Sequence, residues 1–348
     1  MTGGIEIHHL CKAYAGAPAV DGVSLQIAPQ EHFVIVGESG CGKSTLLRLI
    51  AGLEVPDRGT IRLHGEMVAG DGVMVSPEGR GTGFVFQSYA LWPHMSVRDN
   101  VAFPLEATGM PRRAAAAAAE PHLDTVSLRH LAERKPDALS GGQRQRVALA
   151  RCLAGGAGTI LMDEPLANLD PHLRATMERE LLAFHRSSGA TTIYITHDQR
   201  EAMALADRMA VMRNGSFLQV GTPQEVYDRP QSREVAKFIG QGTVVPVQYA
   251  DHTAQLDGVS FPVEAMAGQA PGAAMAILRP EAIEILAEGD TKGLAGTVRE
   301  TFYRGGGWEA ELELAGGSVL TLSHRAPLTP GQKLFVRIRI AWILPEGS

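Results

Sequence analysis

Cysteine is scarce: 348 residues hold only Cys11, Cys41 and Cys152, and no two form a Cys-x-x-Cys pair. That spacing supports neither a disulfide framework nor a zinc site, and it fits a reducing compartment. Long apolar runs are also missing; nothing approaches the roughly 20 residues that span a bilayer. The alanine run from Ala114 to Ala119 is too short and is flanked by Arg112, Arg113 and Glu120, so it reads as a surface helix. The first residues, Met1-Thr2-Gly3-Gly4-Ile5-Glu6, put no basic segment ahead of an apolar one, so no signal peptide is expected. Basic charge is not in excess either. The net charge of −6 argues against nucleic acid as the main partner. Any membrane role therefore has to come through a partner.

What is present is an ordinary globular composition, 45% apolar and 20% charged, in a length that suits one large domain and a smaller one. Val23-Ser24-Leu25-Gln26-Ile27 and the stretch from Gly59 to Gly65 alternate apolar and polar residues, as half-buried antiparallel strands do. Phe33 to Val36, Thr159 to Met162 and Thr192 to Ile195 are continuously apolar and read as buried strands of a parallel sheet. Residues of chemical interest follow each of them, where α/β sheets place ligands. Between 88 and 155 the pattern turns helical and alanine-rich, which suggests a helical subdomain inserted into an α/β core. Asn214-Gly215 between two apolar runs signals a hairpin. Beyond residues 240–243 short alternating strands follow, and 241–348 reads as a small β-barrel domain.

Gly37-Glu38-Ser39-Gly40-Cys41-Gly42-Lys43-Ser44-Thr45 satisfies the phosphate-loop pattern G-x-x-x-x-G-K-[ST], after a buried strand and before an apolar helical segment. Its glycines let successive backbone N–H groups surround phosphates. Lys43 would neutralise the β- and γ-phosphates of ATP, and Ser44 would ligate Mg²⁺. Asp163-Glu164 ends a strand; the aspartate can hold Mg²⁺, and the glutamate can deprotonate an attacking water. Gln87 would reach the Mg²⁺ and water, His197 could donate to the γ-phosphate, and Tyr14 could stack on a base. Leu139-Ser140-Gly141-Gly142-Gln143 gives a second set of N–H donors at a helix start. One chain has little use for two phosphate cradles, whereas two chains facing each other can share them.

Together and in this order, these residues resemble the nucleotide-binding subunit of an ATP-binding cassette (ABC) transporter over residues 5 to 240. Gly37 to Thr45 is similar to the Walker A motif, Gln87 to the Q-loop, and Leu139 to Gln143 to the family signature. Ile160 to Glu164 is similar to the Walker B strand with its catalytic glutamate. Asn168-Leu169-Asp170 resembles the D-loop, His197 the switch histidine and Tyr14 the adenine-stacking aromatic. The resemblance implies a P-loop α/β core (1–240) with an antiparallel β subdomain and the helical insertion. It also implies a head-to-tail dimer holding ATP between Lys43 of one copy and Ser140-Gly141-Gly142 of the other. Membrane permease subunits would dock near Gln87 and the following Tyr89 to Met95, and a solute-binding protein would act through them. That would place the chain at the cytoplasmic face of the inner membrane.

The tail resembles the OB-like barrel known as the TOBE domain, chiefly in Leu278-Arg279-Pro280-Glu281-Ala282-Ile283, and it lacks a basic, aromatic-rich strip for nucleic acid. The barrel implies an importer. Ala90 to Val97 looks most like the ferric-iron branch, with polyamine, phosphonate and sugar importers as alternatives. From other classes, a soluble ABC ATPase acting on nucleic acid or ribosomes would need a second cassette or a long coiled coil. A P-loop kinase would not need Leu139 to Gln143.

Overall fold

The computed structural model describes residues 4–167, 171–287 and 292–345. The chain divides into two compact units, Met1–Pro223 and Gln224–Ser348; residues 224–240, which the sequence reading kept with the first domain, group with the second unit.

In the first unit a six-stranded sheet runs in the order Ser216–Gly221, Arg208–Arg213, His32–Val36, Thr191–Thr196, Thr159–Asp163, Thr82–Val85. All neighbours are parallel except the first pair, which is antiparallel across Asn214-Gly215. Both turn residues have positive φ, 48° and 81°, the conformation of a type I′ hairpin. The three continuously apolar runs occupy the middle of this sheet and are buried throughout. Beside it, Ala17–Ile27, Ile5–Tyr14, Arg58–Leu63, Glu66–Gly70 and Val73–Met74 form an antiparallel sheet with one face buried.

The helix Lys43–Ala51 joins the two sheets. Leu46, Leu47, Leu49 and Ile50 are fully buried and share one cluster with Ile5 and Ile7 of the antiparallel sheet and Phe33, Ile35 and Ile193 of the parallel one. The helix ends at Gly52, which is left-handed at φ 79°. Its last carbonyls are taken by Arg80, a residue only 3% exposed, which donates to Leu49 and Ile50 at 2.8 Å each. The helical insertion contains Val97–Ala107, Arg112–Thr125 and Gly141–Ala154. The alanine run lies within the second of these, and Ala115, Ala119 and Leu123 make its buried stripe at helical spacing.

In the second unit, Thr243–Ala250, Thr253–Leu256, Val259–Glu264, Ala341–Ile343 and Gly272–Leu278 close a barrel. A further sheet, Ile283–Ile285, Lys333–Ile338, Leu294–Tyr303, Trp308–Leu314 and Val319–His324, shares one hydrophobic cluster with it. The tail is thus a barrel and a sheet around one core, more than a single small barrel. Arg279, from the stretch Leu278 to Ile283, lies 4.1 Å from the Tyr227 ring centroid. It donates to the carbonyls of Tyr227 at 2.6 Å, Ile239 at 2.8 Å and Gln241 at 3.0 Å. That motif therefore anchors 224–241 to the barrel.

His32 opens the central strand with both ring nitrogens buried and without hydrogen-bond partners, stacked on His185 at 4.7 Å between centroids. Burial, with His185 next, pushes its pKa down from 6.5 to about 3, against the nearby Asp207 carboxylate. The unfolded chain therefore binds the proton more readily than the folded one. His32's contribution is complete above the unfolded pKa and is lost as pH falls from 6.5 toward 3. Urea unfolding at pH 7 and pH 5 should show about 2 kcal/mol less stability at pH 5 from this group. His32→Phe should remove that part of the slope; an unchanged slope would contradict the assignment.

Candidate active site

The phosphate loop runs from the end of His32–Val36 to the start of Lys43–Ala51. A Cβ on Gly37 would strike the Met212 carbonyl, and one on Gly42 would strike that of Ala19. Gly42 is also left-handed at φ 110°, a conformation glycine adopts without cost. It stands at the N-cap and supplies no side-chain cap, so the first N–H groups of the helix are left to a ligand. They face a cavity of about 200 Å³ lined by Ala19, Ser39, Gly40, Gly42, Lys43, Ser44, Thr45 and Glu164. A larger hollow of about 550 Å³ lies in the second unit, lined by Asp228, Glu264, Glu281 and three arginines together with apolar residues such as Ile277, Ile340 and Trp342. Donors for several phosphate oxygens converge at the smaller one, so the chemistry is placed there.

Lys43 is buried, and its ammonium folds across the loop to the carbonyls of Gly37 at 2.7 Å and Glu38 at 2.9 Å. Both acceptors are neutral, so a polyphosphate offers the cation a stronger partner. Ser44 Oγ donates to Asp163 Oδ1 at 3.1 Å, which brings a hydroxyl and a carboxylate to one point. Burial raises the Asp163 pKa, and the Ser44 bond opposes that rise. This all-oxygen pair fits Mg²⁺. Among the described residues no group of three His, Cys, Asp or Glu forms a metal cage, so phosphate oxygens and water would complete the shell.

Glu164 follows directly and is left-handed at φ 44°, with its N–H donating to the Ile195 carbonyl at 3.1 Å. Its Oε2 lies 3.1 Å from Nδ1 of His197. The structure thus brings Lys43, Ser44, Asp163, Glu164 and His197 together from three segments far apart in sequence. Cys41 is buried in the loop, where burial pushes its thiol pKa up, which leaves it a weak nucleophile.

Among the described residues, the remaining sequence candidates do not line this cavity. Gln87 is exposed in the loop after Thr82–Val85. Next come Tyr89 and Ala90, both left-handed at φ 62° and 46°. Arg151 holds this strained pair by donating to the Ala90 carbonyl at 2.7 Å and that of Tyr89 at 3.0 Å. The Tyr89 hydroxyl reaches the Pro165 carbonyl, beside Glu164, at 3.3 Å. Ser140 caps Gly141–Ala154 in a capping box with Gln143, accepting from its N–H at 3.3 Å. Ser140 itself is exposed, whereas Gly142 is buried, and a Cβ there would come within 2.7 Å of the Met177 sulfur. Tyr14 is 43% exposed, with Lys12 Nζ 5.5 Å from its ring centroid. Asp170, with Asn168 and Leu169, lies outside the described residues. The sequence reading missed Ala19, which lines the cavity, and Arg151, which holds the Tyr89-Ala90 pair; neither belongs to a spaced motif.

The ABC transporter family model matches residues 20–167, and the TOBE domain model matches 276–344. The chain is similar to the spermidine/putrescine import ATP-binding protein of Pseudomonas fluorescens, 43% identical over 86% of this chain and 85% of the relative. A second spermidine/putrescine import ATP-binding protein, from Pseudomonas aeruginosa, is 42% identical over 99% of this chain and 97% of its own length. The trehalose/maltose import ATP-binding protein of Thermococcus litoralis is 46% identical over 73% of this chain and 68% of its own. Among solved structures, a dimeric ATP-binding cassette in a post-hydrolysis state with ADP and Pi matches with TM-score 0.55 and 29% identity, over 63% of this chain and 98% of that one.

Proposed function

The chain belongs to the ABC transporter family as an ATP-hydrolysing subunit of the import type with a TOBE domain, and from that premise we propose that its solute is a polyamine. The observation that carries this reading is the reach of the resemblance. The relative named for spermidine and putrescine aligns over 99% of this chain, whereas the trehalose/maltose relative aligns over 73%. The relatives above are named for polyamines and sugars, so the ferric-iron expectation gives way to its polyamine alternative.

ATP would lie with its phosphates on the N–H groups of Gly40 to Thr45, Lys43 countering their charge and Tyr14 against the adenine. Ser140, Gly141, Gly142 and Gln143 of a second copy, arranged head to tail, would close over it. Mg²⁺, when bound, would neutralise the charge that develops on the phosphates. Ser44, Asp163 and Gln87 would hold it. Glu164 would take the proton from the attacking water, with His197 orienting that carboxylate. We assign Asp170 to the same shared interface on sequence alone. The loop from Gln87 to Met95 would meet the permease at the cytoplasmic face of the membrane, and a solute-binding protein would act from the far side. The ATPase domain is assigned to 1–240 and the TOBE-like domain to 241–348.

Uptake of labelled putrescine and spermidine in cells lacking this chain tests the solute. Wild type should restore uptake and Glu164→Gln should not. Normal polyamine uptake without the chain would refute the polyamine reading while leaving the ATPase role in place.

A further inference from the structure

His197 is 53% exposed, so packing of its own ring does not hold it in place. What fixes it lies on either side. Glu201, in the helix Gln199–Leu205, is 3% exposed, and its Oε2 accepts from the hydroxyls of Tyr194 and Thr196, both at 2.7 Å. The Thr196 hydroxyl oxygen in turn accepts from the N–H of Asp198 at 3.0 Å. The residues before and after His197 therefore depend on one buried carboxylate. Asp198 caps the same helix by accepting from Arg200 N–H at 2.8 Å, and its other oxygen receives Arg174 at 3.2 Å. Arg174 Nε also lies 3.6 Å from the second oxygen of Glu201.

A carboxylate buried without such partners would be strongly destabilising. Here two hydroxyls and a guanidinium compensate it, and the same contacts tie Thr196 and Asp198, on either side of His197, to one network. Arg174 belongs to the helix Pro171–Ser188, which in sequence follows Asn168-Leu169-Asp170 directly.

We propose that Arg174 and Glu201 are positioning residues for ATP hydrolysis: they set the backbone on both sides of His197, and so its contact with Glu164, from the helix that follows the D-loop. This rests on the reading of His197 and Glu164 given above. Neither residue needs to touch ATP. A misplacement of about 1 Å at a reacting group can cost about a hundredfold in rate, so a loosened switch loop should appear in turnover.

The test is steady-state ATP hydrolysis by the full-length chain, with thermal unfolding alongside. Arg174→Met should lower kcat about tenfold with KM for ATP within about twofold, since positioning acts on the chemical step and not on ground-state binding. Arg174→Lys should keep about a third of wild-type kcat, because a lysine can still reach one carboxylate. A merely structural arginine predicts otherwise: a lower melting temperature, with kcat and KM for ATP changing together. That result would overturn the proposal. If Arg174→Met turns over like wild type while His197→Ala is inactive, the proposal fails and the hydrolytic reading stands. If His197→Ala turns over normally, the reading of the site fails first and the proposal with it. Should Arg174→Met not fold, Arg174→Lys decides: a fall in kcat alone supports the proposal, and unchanged kcat overturns it.

Discussion

Glu164→Gln should bind ATP as wild type does and hydrolyse it about 10²–10⁴ times more slowly, the usual scale of a lost general base. The amide has the shape of the carboxylate, so the positive-φ backbone at 164 and the 3.1 Å approach to His197 can both persist. Of the cavity's walls only the Glu164 side chain changes, and by one atom; Ala19 and the lining residues of the phosphate loop are untouched. The loss is that of a proton acceptor. With opening prevented, ATP should accumulate a closed dimer, which light scattering reads directly. Adding Ser140→Arg, at the exposed start of Gly141–Ala154, should abolish that dimer and leave ATP binding intact. A monomer of Glu164→Gln in saturating ATP would contradict the head-to-tail arrangement; a dimer of the double variant would contradict the shared site.

Arg80→Leu should destabilise the first unit by about 3–5 kcal/mol, because it takes donors from four buried carbonyls, each costing about 1–3 kcal/mol before the site relaxes. The guanidinium is 3% exposed and has no acid beside it; it donates to the carbonyls of Leu49, Ile50, Val68 and Val75 at 2.8 to 3.1 Å. Burial alone pulls its pKa down, yet an arginine stays charged. Its countercharge is the negative end of the helix Lys43–Ala51, where the Gly52 N–H reaches the Leu49 carbonyl only at 3.2 Å and the guanidinium adds a shorter bond. Leucine fills part of the volume and leaves those four carbonyls with fewer donors. Urea unfolding checks this. A loss under 1 kcal/mol would mean that water replaces the guanidinium.

The phosphate loop was readable because its glycines and the Lys43-Ser44 pair fall within one short stretch, so spacing records them even though the carbonyls that crowd Gly37 and Gly42 come from Met212 and Ala19. The buried strands were readable for the same reason, since a strand covered on both faces has an unbroken apolar run. Arg80, Arg151, Arg174 and Glu201 were not. The arginines act mostly on partners remote in sequence and Glu201 on residues of the preceding strand, and one charged residue among 32 basic and 38 acidic ones leaves no period to detect. The second unit was readable as β but not as a barrel plus a sheet, because alternation fixes a strand's faces and not its neighbours. The solute left no mark on the ATP site at all.

Gly142 shows how such a chain can mislead genetics. It falls in the stretch similar to the family signature, but it also lies against the sulfur of Met177, where any side chain would have to displace a neighbouring helix's thioether. A null phenotype at this codon is therefore ambiguous: the same allele can report a lost ligand contact or a wedge driven between two helices. Suppressor mutations at codon 177 separate the two causes, since shortening that methionine relieves a wedge and does nothing for a missing contact.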